Sequence, residues 1–279
     1  MIRRILLPTL LMWNTSAFAQ DRSPIEPSSL PAPDQAVEPV KPTIEKLDEN
    51  RFRIGNITFD QKTREVRFPC KVNMTDGLLE YLLVHQNGKV HESLFVTEIS
   101  ATHLNLALTL LRYKPSRELY ALPNETGGLS GNFPVVPEDI KAAARIRIDV
   151  EWTQDGQTKR LPANDWIMHA VKTTAMPQGP WVYGGSEFYD GQFVPETSGD
   201  IAAIFVAQSS LINYPGEDNR DDTVWVTFTK RIPPEGTNVT LVIAPYSPSV
   251  PPAPPANTSS KSNSSKKPAS GKPSKTPKP

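Results

Sequence analysis

The chain has 279 residues and a formal net charge of zero, which is enough length for one or two domains. Its single cysteine, Cys70, excludes disulfides within the chain, and with them the disulfide-stapled class of small secreted proteins. The neutral total combines a mildly acidic middle with a basic end, because the chain after residue 250 contains six lysines and no acidic residue.

Residues 1–19 have the order of a secretory signal peptide. Arg3 and Arg4 precede a short apolar run, and Ala17-Phe18-Ala19 supplies a small-residue cleavage site before Gln20. A membrane anchor needs about 20 apolar residues, and this run is much shorter. We therefore expect export to the periplasm or the extracellular space, with no transmembrane segment in the mature chain.

Two biased segments flank the middle of the chain. Residues 20–50 are rich in proline and acid and contain no aromatic residue, so we expect a disordered linker. Residues 247–279 are rich in proline, serine and lysine and predict a disordered basic tail. This tail is suited to contact anionic polymers or lipids through non-specific charge, or to serve as a solubilising linker. Without interleaved aromatic residues it argues against sequence-specific nucleic-acid binding.

The folded domain is predicted over residues 51–246 and opens with closely spaced strand signals. In VRFPCKV, alternation places Phe68, Cys70 and Val72 on one face, which is typical of a buried small hydrophobe at Cys70. Pro69 lacks an N–H group, which favours a strand edge or a bulge. Asn87-Gly88 lies between apolar runs and predicts a two-residue β-hairpin.

That hairpin would pair Val84 with His91, Leu82 with Ser93 and Glu80 with Phe95. A helix is then predicted from an N-cap at Ser100 to about Arg112, with an apolar stripe along one side. Residues 114–140 form a long irregular connection, and the last third is rich in strand signals. The fold class expected is α+β: a β-rich single domain of mostly antiparallel strands with one or two packed helices, between disordered arms.

The predicted hairpin places Glu80, His91 and Ser93 on one face. An acid, a base and a nucleophile are the ingredients of acyl transfer, so these residues are a candidate catalytic group. No G-x-S-x-G motif accompanies Ser93. The alternative is a buried polar network that fixes the strand register.

A second hypothesis is a metal site made of His85, Glu92 and His103. Alternation puts His85 and Glu92 on the face opposite His91. If the predicted helix packs there, His103 completes a set of two imidazoles and one carboxylate, which suits zinc. The spacing matches no established metal motif, and solvated side chains are the alternative.

Several segments carry a likeness to a known family: REVRFPCKVNM (Arg64–Met74), GLLEYLLV, GKVHESL, THLNLALTLL and WVYGGS (Trp181–Ser186). In these segments the chain resembles the YdjY-type domain of bacterial exported proteins, over most of residues 51–245. The resemblance implies no established activity. Some relatives are labelled iron–sulfur or ferredoxin-like, but a cluster requires about four cysteine ligands, so one cysteine argues against an iron–sulfur cluster.

The sequence thus favours an exported, non-catalytic module of the cell envelope that binds an unknown partner or ligand. The alternative is a hydrolase or a metal-dependent enzyme centred on His91. The cofactor stays unknown, and the single cysteine argues against an iron–sulfur cluster.

Overall fold

The computed structural model describes residues 42–248. The predicted signal peptide, residues 20–41 of the linker and residues 249–279 of the tail lie outside the described residues. Ordered structure begins before the predicted boundary at Arg51, because a strand at Ile44–Lys46 pairs with the strand that starts there. None of the helices in residues 42–248 reaches the length and apolarity that crossing a bilayer demands.

The described chain contains many more strand residues than helical residues, with seventeen strands and three α-helices. The helices are α1 (Ala101–Leu110), α2 (Glu138–Ala144) and α3 (Val194–Ser198). The strands are β1 (Ile44–Lys46), β2 (Arg51–Ile54), β3 (Ile57–Asp60), β4 (Val66–Val72), β5 (Tyr81–His85), β6 (Ser93–Thr97), β7 (Arg145–Gln154), β8 (Gln157–Pro162), β9 (Ile167–His169), β10 (Thr174–Ala175), β11 (Trp181–Tyr183), β12 (Phe188–Tyr189), β13 (Gln192–Phe193), β14 (Asp200–Ala203), β15 (Ile212–Asn213), β16 (Trp225–Thr227) and β17 (Asn238–Pro245).

Eight of these strands close into a barrel in the order β4-β17-β7-β11-β15-β14-β5-β6, with β6 returning to β4. The closing pair is short, with Lys71 opposite Val96 and Val72 opposite Phe95. Most neighbours are antiparallel, whereas β5–β6 and β14–β15 are parallel. The domain is therefore β-rich, and closure leaves the eight barrel strands without a free edge, whereas β1 and β8 each pair on one side only.

The core fills the barrel and extends under α1. Strand β4 turns Phe68, Cys70 and Val72 inward, as alternation predicted, and Trp166 and Phe95 are among the largest fully buried side chains. Helix α1 begins as predicted, since the Ser100 hydroxyl accepts a hydrogen bond from the His103 amide at 3.1 Å. Its apolar side buries Ala101, Leu104, Ala107 and Leu108.

The predicted hairpin at Asn87-Gly88 is wrong. Strand β5 pairs with β6 in parallel, with Tyr81 opposite Ser93, and the chain returns through a 3₁₀ turn at Val90–Glu92. Neither Asn87 nor Gly88 has the positive φ that a type I′ turn requires. A Cβ on Gly88 would lie 3.2 Å from the backbone of Gly199, so this glycine permits two chain segments to approach.

The hairpin prediction is wrong because tertiary strand pairing decides where β5 and β6 lie. Strand β6 pairs antiparallel with β4 on one side, and this pairing closes the barrel. On its other side β6 runs parallel to β5, which itself pairs antiparallel with β14. A local turn signal cannot report these pairings, because β4 and β14, which decide where β6 and β5 lie, are outside the predicted hairpin.

Candidate functional site

The structure does not gather the predicted catalytic residues. Ser93 is fully buried, and its hydroxyl donates to the Phe95 carbonyl at 2.8 Å. The His91 side chain is 78% exposed, and its Nε2 lies 3.7 Å from Glu92 Oε2. Within residues 42–248 no hydrogen bond joins His91 to Ser93. The cause is that His91 lies in the 3₁₀ turn at Val90–Glu92, whereas Ser93 is the first residue of β6, so the two residues do not alternate along one strand.

Glu80 lies beside Glu92, which the sequence analysis had assigned to the metal-site hypothesis. Its amide donates to the Glu92 carbonyl at 3.0 Å. Burial raises the pKa of the Glu80 carboxyl, and the nearby charges of Glu92 and Asp222 raise it further. The pair holds the end of the 3₁₀ turn against the start of β5.

The predicted metal ligands lie in separate places. His85 accepts a hydrogen bond from the Asn87 amide at 3.2 Å through Nδ1. His103 packs beside Gly55, where a Cβ would lie 3.1 Å from its Nδ1. Glu92 faces Glu80. In the part of the chain that the structure describes, no three side chains of His, Cys, Asp or Glu are placed to hold a metal ion.

A polar cluster that sequence analysis missed joins the exposed Lys89, in the β5–β6 connection, to the buried Tyr81 and Asp200. The Lys89 ammonium donates to the Tyr81 hydroxyl at 2.6 Å and lies 3.8 Å from Asp200 Oδ2, which also accepts from Ser209 at 2.6 Å. Asp200 is 2% exposed. Burial raises the pKa of Tyr81, so the phenol stays neutral at pH 7. These contacts fix the connection between β5 and β6 against β14. Nothing local in the sequence indicates them.

His169 forms a second polar cluster that the sequence did not single out. Its Nδ1 accepts from the amides of Val171 and Lys172 at 3.3 Å, so Nε2 carries the hydrogen and donates to Asp218 at 3.0 Å. The hydrogen bond from Lys172, and then that from His169, lower the pKa of Asp218. Both ring nitrogens are thus occupied, which indicates a structural role. The only sequence signal was an acidic loop at Glu217–Asp222.

A cleft with a mainly apolar lining lies where two strands share one edge of β4. Strand β3 pairs with the first part of that edge, at Val66 and Arg67, and β6 pairs with the last part, at Lys71 and Val72. Pro69 lies between them. Its carbonyl accepts the Thr97 hydroxyl at 2.7 Å, and its nitrogen has no hydrogen to continue the ladder. The two strands diverge here, which explains a proline inside a strand that is otherwise fully paired.

We call the resulting cavity of about 320 Å³ the fork cleft. Its floor and walls are mainly apolar, and its rim is polar. The floor and walls are Pro69, Cys70, Val96, Thr97 and Ile99, and the rim is Asn56, Lys71, Gln86, Glu98 and Asn238.

Electrostatics separate the floor of the fork cleft from its rim. Burial raises the pKa of the Cys70 thiol to about 12, so the floor carries no charge at pH 7. The five rim side chains are solvent-exposed, and none hydrogen-bonds or ion-pairs with another side chain among residues 42–248. Polar groups that the fold leaves uncommitted are available to a ligand.

Comparison with known proteins identifies the family of this chain but finds no individual protein that matches it. Searches of curated proteins and of solved structures each returned no match. The YdjY domain profile matches residues 57–244, from the first residue of β3 to the last residue but one of β17, and so spans the barrel. This range contains all the segments that carried the resemblance in the sequence, and it exceeds half of the chain. The chain belongs to the YdjY domain family.

Proposed function

We propose that this protein is an exported module of the cell envelope that binds a ligand at the fork cleft and carries out no covalent chemistry. The fork cleft is the observation that carries the proposal. Its volume of about 320 Å³ falls at the lower end of the range of roughly 300–1,000 Å³ for small-ligand sites. An apolar floor with a few convergent polar groups is also the usual composition of such sites.

The local backbone supports a permanent cleft. The Thr97 hydroxyl fixes the Pro69 carbonyl, and the Gln86 amide donates to the Thr97 carbonyl at 2.9 Å. Thr97 is 3% exposed, so it is held in the wall from both sides. A wall of this kind presents a preformed surface, and preformed sites lose little conformational entropy on binding.

Export is the second part of the proposal, and it rests on residues 1–19. Removal of this segment would leave a mature protein that begins at Gln20 in the periplasm or outside the cell. We also assign the six lysines of the tail to contacts with anionic envelope polymers or lipids. Mass spectrometry of the protein recovered from a periplasmic or culture fraction tests export: a mature start at Gln20 is expected, and an intact Met1 in the cytoplasmic fraction would overturn it.

Nuclear magnetic resonance of the mature chain tests binding. The probes are L-alanine, L-alanyl-L-alanine, glucose and adenosine, each added to millimolar concentration. We expect at least one probe to shift the amide signals of Thr97 to Ile99 and of neighbouring Lys71. Asn56→Ala and Asn238→Ala should weaken that response, and Asn132→Ala, an exposed asparagine remote from the cleft lining, should leave it unchanged. Shifts confined to the surroundings of His91 and Ser93, or no shift with any probe, would contradict the proposal.

The rival function, a hydrolase or metal-dependent enzyme centred on His91, receives no support from these contacts. A nucleophilic serine needs a base within hydrogen-bond reach, and the Ser93 hydroxyl donates instead to the carbonyl of Phe95.

A further inference from the structure

We propose that the fork cleft selects a small zwitterion, a molecule that carries a carboxylate and an ammonium group, such as a free amino acid or a short peptide. This inference rests on the proposed function and adds the chemical class of the ligand. It is carried by two rim residues of opposite charge, Lys71 and Glu98.

The backbone places Lys71 and Glu98 on the same side of the fork. Lys71 lies opposite Val96. Glu98 is the first residue after β6 and follows Val96 by two positions, so continuing the alternation of the strand by one residue puts all three on one face. The burial pattern agrees, because the exposed Glu98 lies between two buried residues, Thr97 and Ile99, and Val96 is half-buried. Diagonal residues on adjacent strands are about 7–8 Å apart, within reach of a salt bridge. Nevertheless, Lys71 and Glu98 form no ion pair with each other or with any residue that the structure describes.

Two opposite charges beside one cleft favour a ligand that brings both counter-charges. A carboxylate would accept hydrogen bonds from the Lys71 ammonium, and an ammonium would donate to the Glu98 carboxylate. A simple anion would meet the repulsion of Glu98, and a simple cation that of Lys71. A neutral polyol would leave both charges unpaired.

The remaining lining suits the body of such a ligand. The carboxamides of Asn56, Gln86 and Asn238 can both donate and accept, which matches an amide or a hydroxyl group. The apolar floor accommodates a small aliphatic side chain. With about 320 Å³ available, the cleft admits a single amino acid or a dipeptide and excludes a longer folded segment.

Calorimetric titration of the mature chain with matched probes tests the inference. L-alanine and L-alanyl-L-alanine carry both charges and distinguish a free amino acid from a peptide. N-acetyl-L-alanine lacks the ammonium, and L-alaninamide lacks the carboxylate. We expect each blocked compound to bind about tenfold more weakly than L-alanine, the loss expected for one charge-assisted contact.

Variants assign each charge to its residue. Lys71→Gln should bind L-alanine about tenfold more weakly and should no longer discriminate against L-alaninamide. Glu98→Gln should show the same loss and should no longer discriminate against N-acetyl-L-alanine. Lys62→Gln removes an exposed lysine outside the cleft and should leave every affinity unchanged.

The outcomes separate this inference from the proposed function. If glucose or adenosine binds at the cleft and the zwitterions do not, or if the blocked compounds bind as tightly as L-alanine, the zwitterion inference is overturned and the binding module stands. If no probe perturbs the cleft, both are overturned.

Discussion

A single methyl group at Gly184 should destabilise the protein more than most core substitutions of that size. A Cβ at this position would lie 2.1 Å from the Tyr120 hydroxyl. That hydroxyl is buried, accepts from Asn213 Nδ2 at 2.9 Å, and lies 3.4 Å from the Ser210 carbonyl. The strand cannot move away easily, because the Gly184 amide donates to the Leu211 carbonyl at 2.9 Å.

The expected cost of Gly184→Ala has two parts. Forcing a methyl group into a packed region costs about 1–3 kcal/mol. Displacing the hydroxyl leaves the Asn213 amide, in a fully buried residue, without its partner, and an unsatisfied buried donor costs about 1–3 kcal/mol. Because relaxation at one contact relieves part of the other, we expect a total of about 2–4 kcal/mol in the free energy of unfolding.

Urea denaturation followed by tryptophan fluorescence measures this loss, and a double-mutant cycle assigns its cause. Tyr120→Phe alone should cost about 1–2 kcal/mol, because it removes the same partner from Asn213. The double variant should lose less than the sum, since the hydroxyl that collides with the added methyl group is absent. Gly131→Ala, with no atom within 4 Å of the added Cβ, should change stability by less than about 0.5 kcal/mol. Additive losses, or a Gly184→Ala variant as stable as the wild type, would refute the packing described for the WVYGGS segment.

Three further predictions concern charge and the buried serine. Glu80→Gln should raise the free energy of unfolding at pH 7. The pKa of Glu80 is higher in the folded state than in the unfolded state, so ionisation of this carboxyl opposes folding. The gain in stability should therefore vanish below the unfolded glutamate pKa of about 4.3. Urea midpoints measured against pH check this, and a gain independent of pH would contradict it. Arg160→Met removes ion pairs to Asp149 at 2.7 Å and to Glu65 at 2.9 Å, so it should lower the free energy of unfolding by about 1–3 kcal/mol, and by less in high salt. Arg53→Met removes an exposed ion pair and should lower it by under about 1 kcal/mol. Equal losses in the two variants would argue against the Arg160 network. Ser93→Ala should cost about 0.5–1.5 kcal/mol in thermal unfolding, and loss of an ester-hydrolysing activity in this variant would instead favour the rival enzyme.

Sequence patterns predicted the elements whose cause is local. The alternation of β4 gave the buried face of Phe68, Cys70 and Val72, and Ser100 gave the start of α1 through its side-chain oxygen. The β-rich character follows from many short alternating segments. Each of these features depends on residues only a few positions apart.

The parts that failed depend on distant contacts. Gly88 looked like a hairpin glycine, yet its lack of a Cβ serves a close approach to Gly199. Lys89 finds its partner Asp200 only because β5 pairs with β14. A single sequence contains no local signal for the approach of Gly88 to Gly199 or for the pairing of β5 with β14. Both site hypotheses depended on a hairpin that does not form.

The fork cleft shows the same division between local and distant causes. Its one local signal was Pro69, whose missing N–H predicted an interrupted ladder. Its rim comes from five separate segments, at Asn56, Lys71, Gln86, Glu98 and Asn238. The barrel closure between β4 and β6 brings Lys71 near Glu98, and the pairing of β4 with β3 and with β17 adds Asn56 and Asn238.

The most direct test of the account is the affinity of a variant in which the fork cleft is filled. Val96→Trp places a large side chain in the cleft wall, and Val171→Trp makes the same change at a position that is 80% exposed and outside the lining. Calorimetric titration with L-alanyl-L-alanine should show binding to the wild type and to Val171→Trp. It should show no binding to Val96→Trp, provided that this variant keeps the thermal unfolding transition of a folded protein. Undiminished binding by a folded Val96→Trp variant would contradict the assignment of the fork cleft as the ligand site.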